Sequence, residues 1–280
     1  MKLNGLIAAV LISICSLGWA RNIDYCTTPY CKGNHLVCRN PDKFNVRCPS
    51  GAKTIPMMTF RNALLTAINE FRNDTASGAG IYLKPAARMA RMSYSTELEE
   101  FARLAVITCS TDKFCLSSKE FYYVGYIHDA VYYVGPKEDL EDLELTLRII
   151  QDWTRSLDYI NLKTAIYLPA TLENTDIANT ALLMAEKNTH IGCSALRFTV
   201  SENHNFIIAC AFSTDLMVRR PIYRMSGVPG SACKHRDPIF KALCAPGENY
   251  ESDKAVPNAT IFSPPINIVG IRKLYMESLP

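Results

Sequence analysis

The side chains that could do chemistry in this chain are its histidines, cysteines and clustered acids, and their spacing narrows what that chemistry could be. His128, His190, His204 and His235 stand far apart. None lies in a His-x-His or His-Glu-x-x-His arrangement, which would put two imidazoles on one face of an element. His190, at the start of an apolar strand, reads as a partly exposed structural histidine rather than a ligand. There is no Gly-x-Ser-x-Gly elbow and no glycine-rich phosphate loop. Glu138, Asp139, Glu141 and Asp142 could suggest a Ca²⁺ site or an acidic docking patch. They read instead as the solvated start of a helix, where the macrodipole favours negative charge.

The chain has eleven cysteines. Cys15 falls in an N-terminal stretch that reads as a signal peptide over residues 1–20: Lys2, an apolar run Leu6–Leu17, then small residues at Gly18 and Ala20. The remainder are Cys26, Cys31, Cys38, Cys48, Cys109, Cys115, Cys193, Cys210, Cys233 and Cys244. An even number in an exported chain reads as a disulfide framework whose connectivity spacing alone does not give. Zinc is the competing explanation, but no Cys-x-x-Cys pair with a distant match is present. Once all ten pair, no thiol nucleophile remains. The sequence predicts a secreted protein with no membrane span, since no later stretch is long and apolar enough. Lys and Arg number 30 against 27 Asp and Glu, and the basic residues are dispersed. No nucleic-acid partner is expected. Asn73-Asp74-Thr75 and Asn258-Ala259-Thr260 are sequons open to glycosylation outside the cytosol.

The elements that must position any site are legible from periodicity. Thr59–Thr75 reads as a helix with Leu64, Leu65, Ile68 and Phe71 on one face. Leu98, Phe101, Ala102, Ala105, Val106 and Cys109 form the buried stripe of a second helix. Phe121–Val134, rich in tyrosine and valine, reads as strand, with Tyr123 and Tyr126 candidates to line a cleft. Leu140–Leu157 reads as a long helix with Leu140, Leu143, Leu147, Ile150, Trp153 and Leu157 facing inward. A fourth helix-like run starts at Ile177. It feeds a strand in which Ile191, Cys193, Leu196, Phe198 and Val200 follow a half-buried pattern. After a polar turn at Ser201–His204, Phe206–Phe212 returns as a strand apolar enough to be covered on both faces. A bridge across this hairpin between Cys193 and Cys210 is geometrically reasonable. Residues 21–54 form a cysteine-rich N-terminal knot too polar to bury a core. Residues 55–215 form the main domain, and the rest, 216–280, is expected to lie over its surface with a small disulfide loop.

Several blocks carry a resemblance. Gly192-Cys193 and the strand ending Cys210-Ala211-Phe212 are similar to the signature blocks of the CAP superfamily of cysteine-rich secretory, antigen 5 and pathogenesis-related 1 proteins. Ile68-Asn69-Glu70-Phe71-Arg72-Asn73 with Ala76-Ser77-Gly78, then Ala86-Ala87-Arg88-Met89 and Glu97-Leu98, resemble further family blocks. Pro221-Ile222-Tyr223 and Gly227 are similar to the insect, venom allergen 5-like branch. The resemblance implies an α/β three-layer α-β-α sandwich with a central antiparallel sheet, stapled by disulfides. It also implies the pairing Cys26–Cys38, Cys31–Cys115, Cys48–Cys109 and Cys193–Cys210, leaving Cys233–Cys244.

Many members of the superfamily hold two histidines and two acids in one cleft, where metal could bind. The corresponding positions here are Asp112, Tyr126, Ser156 and Asn179, so the tetrad is vacated and neither a metal, another cofactor nor an enzymatic activity is expected. The resemblance implies an extracellular protein-binding or signalling role in a secreted fluid, such as seminal fluid. A lipid or sterol carrier using the run Phe206–Phe212 is the alternative. A metal-dependent hydrolase is a third reading, which the four vacated positions disfavour.

Overall fold

The computed structural model describes residues 23–110, 112–136, 140–263 and the backbone of Arg272 and Lys273. The proposed signal peptide, Glu138 and Asp139 lie outside the described residues. Among the described residues six strands form one sheet: β1 Lys53–Pro56, β2 Ser93–Tyr94, β3 Gly125–Val134, β4 His190–Val200, β5 Asn203–Phe212 and β6 Arg272–Lys273. Their order is β1-β4-β5-β3-β6, with β2 alongside β4. The long central strands β4, β5 and β3 are antiparallel, with Cys193 opposite Cys210 and Gly125 opposite Phe212. The β4–β5 hairpin turns over two residues, Ser201 and Glu202, and Ser201 takes the left-handed conformation such turns require, with φ 54°.

Helix α1 spans Arg61–Ser77, α2 Thr96–Val106, α3 Asp142–Thr154, α4 Leu162–Ile166 and α5 Thr175–Met184. Two helical layers sandwich the sheet because β-strand side chains alternate between its faces. Ile127, Val131, Phe206, Ile208 and Cys210 join Leu64, Ile68, Ile149, Trp153 and Leu182 in the core under α1, α3 and α5. Ala130, Ile207, Ala209 and Leu196 turn the other way and pack on Ala102, Ala105 and Val106 of α2. The mixed helix and antiparallel-sheet sandwich expected from the sequence is therefore the observed architecture.

Local signals explain where the helices begin and end. Ser95 caps α2 by accepting from Leu98 N–H, and Asn174 caps α5 by accepting from Ile177 N–H. Gly78, at φ 96°, closes α1 in the left-handed conformation. Gly192 lets α2 approach: a Cβ there would lie 2.1 Å from Glu99 N and 2.5 Å from Ser95 O. The first turn of α2 thus rests directly on the β4 backbone.

Four expectations are corrected. The inward face of α3 is Leu145, Ile149, Ile150 and Trp153, while Leu143 and Leu147 sit half-buried on its flank. A stripe one step round the helix docks on α1 and α5, and a leucine-rich helix offers two such stripes. In β4 the run Ile191–Leu196 is buried on both faces, because α2 covers the second face, and exposure begins only at Thr199 and Val200 near the turn. Strand β3 starts at Gly125, not at Phe121. Finally, the chain beyond Phe212 does not merely overlie the surface: Ile222, Tyr223, Leu243 and Phe262 are buried in the main core.

Five disulfides tie the layers: Cys26–Cys38, Cys31–Cys115, Cys48–Cys109, Cys193–Cys210 and Cys233–Cys244. The N-terminal segment is held to the loop after α2 by two of them. Among the described residues, no helix is long and apolar enough to cross a membrane.

Candidate functional site

The four positions at which imidazoles and carboxylates could have converged are divided between the two faces of the sheet. Gly125 points towards Leu182 of α5, so Tyr126, the next residue in β3, turns to the opposite face. There it packs edge-on to Phe114 among side chains of the α2 layer. Asp112 lies between Cys109 and Phe114, which pack on that same side; burial and then the Asp112 charge push the Tyr126 phenol up. Its carboxylate accepts from Ser110 Oγ. Ser156 lies in the short 3₁₀ turn Arg155–Tyr159, which packs against α5, the helix that carries Asn179. Both are buried. Thr180, beside Asn179, donates its hydroxyl to Trp153 O at 2.6 Å and locks the two elements together. Two positions therefore face α2 and two face α3 and α5, and they supply one carboxylate and no imidazole. This donor set does not fit a zinc ion.

The histidines do not compensate. His204 Nδ1 and Nε2 lie within hydrogen-bond distance of Thr199 Oγ1 and Gly135 O, at 2.9 and 2.6 Å. His190 Nδ1 is 2.9 Å from Thr189 Oγ1, and burial lowers its pKa. His235 is exposed. His128 is different: both ring nitrogens are buried without a hydrogen-bond partner, as is the Tyr126 hydroxyl stacked near it. Burial lowers His128 to about 4, so it is neutral at pH 7. His35, which sequence reasoning passed over, is buried against Tyr25 and Phe101; its Nδ1 accepts from Val37 N–H at 3.1 Å and its Nε2 lies 2.8 Å from Ser117 O. It ties the N-terminal knot to the main domain, and only the density of cysteines around it hinted at such a role. Among the described residues one group could resemble a metal site, Cys233, Cys244 and Glu248. The two sulfurs are spent in a disulfide, and Glu248 is held by Arg88.

Arg72 in α1 is fully buried with no carboxylate bound to it. It donates instead to the carbonyl oxygens of Ala90, Leu183, Ala185 and Asn188. Burial lowers its pKa to about 9, so it remains charged at pH 7. Its role is to clamp the end of α5 and the strand leading to β2, which is architecture and not chemistry.

A cavity of about 390 Å³ is formed where α5 ends and the chain beyond β5 folds back. Leu168, Leu216, Met217 and Ile222 give it an apolar wall, with Glu186, Asp215 and Arg220 around it. Glu186 accepts from Arg224 Nε at 3.0 Å, and Asp215 pairs with Lys113 at 3.0 Å. Burial raises the Asp215 pKa, and Lys113 opposes that shift.

The model of the CAP, or cysteine-rich secretory protein, family matches residues 65–212, more than half of the chain. The chain belongs to the CAP family. Among curated relatives, this CAP protein is 26% identical to Tabinhibitin 3 of Tabanus yao, over 91% of this chain and 100% of that one. It is 25% identical to Tablysin 15 of the same fly, over 83% and 91%. The Antigen 5 like allergen Cul n 1 of Culicoides nubeculosus is 24% identical over 68% of this chain and 90% of its own. Among solved structures, NaASP2 with Zn²⁺ superposes with a TM-score of 0.52 at 18% identity, over 70% of this chain and 99% of that one. That likeness shows a shared fold.

The two sequons of this CAP protein sit in different settings. Asn73 is in the last turns of α1, its Oδ1 accepting from Ala242 N–H at 3.1 Å, and Thr75 is buried. Asn258 is exposed in a turn with φ 55°. Phe206–Phe212 is wholly buried between the two helical layers, so it offers no surface to a lipid.

Proposed function

We propose that this CAP protein acts outside the cell as a non-enzymatic binding protein of the inhibitor type, engaging an extracellular protein partner. The observation that carries this reading is the division of Asp112 and Tyr126 from Ser156 and Asn179 by the sheet. These four positions therefore do not converge in one cleft, whereas a five-disulfide sandwich is a rigid platform for surface recognition. The family membership supports an extracellular setting, and the relatives that it spans almost end to end carry inhibitor names. Its setting is a secreted fluid, of which seminal fluid is one that the family resemblance offers. The apolar run buried in the sheet favours a protein partner over a sterol.

The test is surface plasmon resonance of the purified chain against a panel of purified extracellular proteins, run beside ester and peptide hydrolysis assays with added Zn²⁺. Saturable one-to-one protein binding without turnover is expected. Metal-dependent turnover abolished by a chelator, or a stoichiometric lipid extracted from a chain that binds no protein, would overturn the reading.

A further inference from the structure

Four exposed apolar side chains fall together on one short stretch beside the cavity. Tyr159 is 71% exposed, Leu162 38%, Ile166 51% and Tyr167 50%. They are displayed by α4 and its flanks, a segment that is itself firmly held. Ala165 is buried and its carbonyl accepts from Ile222 N–H at 2.8 Å. Leu168 N–H donates to Arg220 O at 3.1 Å, and Leu168 O accepts from Arg219 N–H at 2.8 Å. Leu168 also lines the cavity, as Arg220 does. The apolar patch and the cavity are therefore neighbours on a single rigid surface. Large exposed aromatics backed by fixed backbone are how protein interfaces obtain contact area at low entropic cost.

Charge identifies the occupant. The acids in the cavity wall are already neutralised: Glu186 by Arg224, Asp215 by Lys113 and Glu251 by Lys254. Lys187 and Arg220 in that wall make no ion pair among the described residues, nor do Lys163 on α4 and Arg219 beside it. Arg219 is exposed and held at φ 61°, a left-handed conformation that costs a non-glycine residue energy. The surface thus combines exposed tyrosine and isoleucine, an apolar pocket and cations without an ion pair, Arg220 donating only to Pro257 O at 3.2 Å.

We propose that the surface formed by Tyr159, Leu162, Ile166 and Tyr167, with Arg219 and Arg220, docks an acidic, aliphatic segment of a partner protein. Aliphatic side chains of that segment enter the cavity beside Leu168, and its carboxylates meet Arg219 and Arg220. This deepens the protein-binding reading above and rests on it for the class of partner.

The test is selection from a phage-displayed library of random peptides roughly twelve residues long against the full secreted chain, with synthetic copies of the enriched peptides titrated by fluorescence anisotropy. Enriched peptides are expected to place Asp or Glu next to Leu, Ile or Phe. Arg219→Glu/Arg220→Glu is expected to weaken them at least about tenfold, with binding that falls as salt rises. Ile166→Asp/Tyr167→Asp is expected to abolish binding. All four side chains are exposed, and unchanged urea midpoints verify that the variants fold. The proposal is overturned by no enrichment, by neutral or basic peptides, or by binding indifferent to both variants. Variant-sensitive binding to phosphatidylserine vesicles without peptide binding would assign the surface to membranes instead. A dimer dissolved by Ile166→Asp/Tyr167→Asp would assign it to a second copy of the chain. If the panel of extracellular proteins yields a partner that ignores these variants, the protein-binding reading stands and this surface fails.

Discussion

Trp153 Nε1 donates to Asp129 Oδ2 at 2.9 Å, joining α3 to the centre of β3 beneath the helical layer. The other oxygen of Asp129 accepts from Ala130 N–H at 2.8 Å, so this buried carboxylate is built into the sheet and is not free for chemistry. Trp153→Phe keeps most of the apolar bulk and removes the donor. It should lower stability by about 2 kcal/mol, the scale of a hydrogen bond to a charged group. Urea denaturation with the disulfides intact checks this, and an unchanged midpoint would show that the bond contributes nothing net.

Gly192 marks where α2 touches β4. With a Cβ placed 2.1 Å from Glu99 N, Gly192→Ala must push the helix off the sheet. A loss of about 3 kcal/mol or failure to secrete is expected, at the upper end of overpacking costs. Measuring the urea midpoint of any secreted variant decides the matter. Wild-type stability would mean that the helix yields without cost.

His128 gives stability a pH dependence whose sign is fixed by its lowered pKa. The unfolded histidine takes a proton near 6.5, while the folded one resists until about 4. Its neutral form is the one that fits, so its contribution is full above pH 6.5 and lost progressively as pH falls from 6.5 towards 4. Over that window the loss amounts to about 3 kcal/mol. His128→Phe should flatten this part of a stability–pH curve. A curve of unchanged slope would refute the assignment.

Of the two sequons, Asn258 offers the accessible one. Enzymatic removal of N-glycans from the secreted chain should shift its mass, and Asn258→Gln should abolish that shift while Asn73→Gln leaves it. The reverse result would mean that modification precedes the folding of α1 around Asn73.

Sequence periodicity revealed the layers because each layer buries a stripe of its own: Leu98, Phe101 and Ala105 in α2, and Phe206–Phe212 in β5. It erred on α3, where Leu143 and Leu147 compete with Leu145 and Ile149 for the inward face and only the neighbouring helices decide. The partners of Arg72 are carbonyls of segments far along the chain, which no local pattern encodes. The same limit hid the cavity. It needs the end of α5 and the chain beyond Phe212 to meet, and buried Tyr223 and Leu243 look like loop residues in sequence. The residue types at Asp112, Tyr126, Ser156 and Asn179 were legible, but their division by the sheet was not.

The most direct test of a surface-acting binding protein takes the panel protein that the chain binds most tightly and measures its Kd for two variants side by side. Ser156→Glu/Asn179→His alters two buried positions beside α3 and α5, and Tyr167→Ala/Arg220→Ala strips the surface beside the cavity. The account predicts an unchanged Kd for the first and a loss of at least about tenfold for the second. Binding lost in the first variant and kept in the second would contradict it and place function at Ser156 and Asn179.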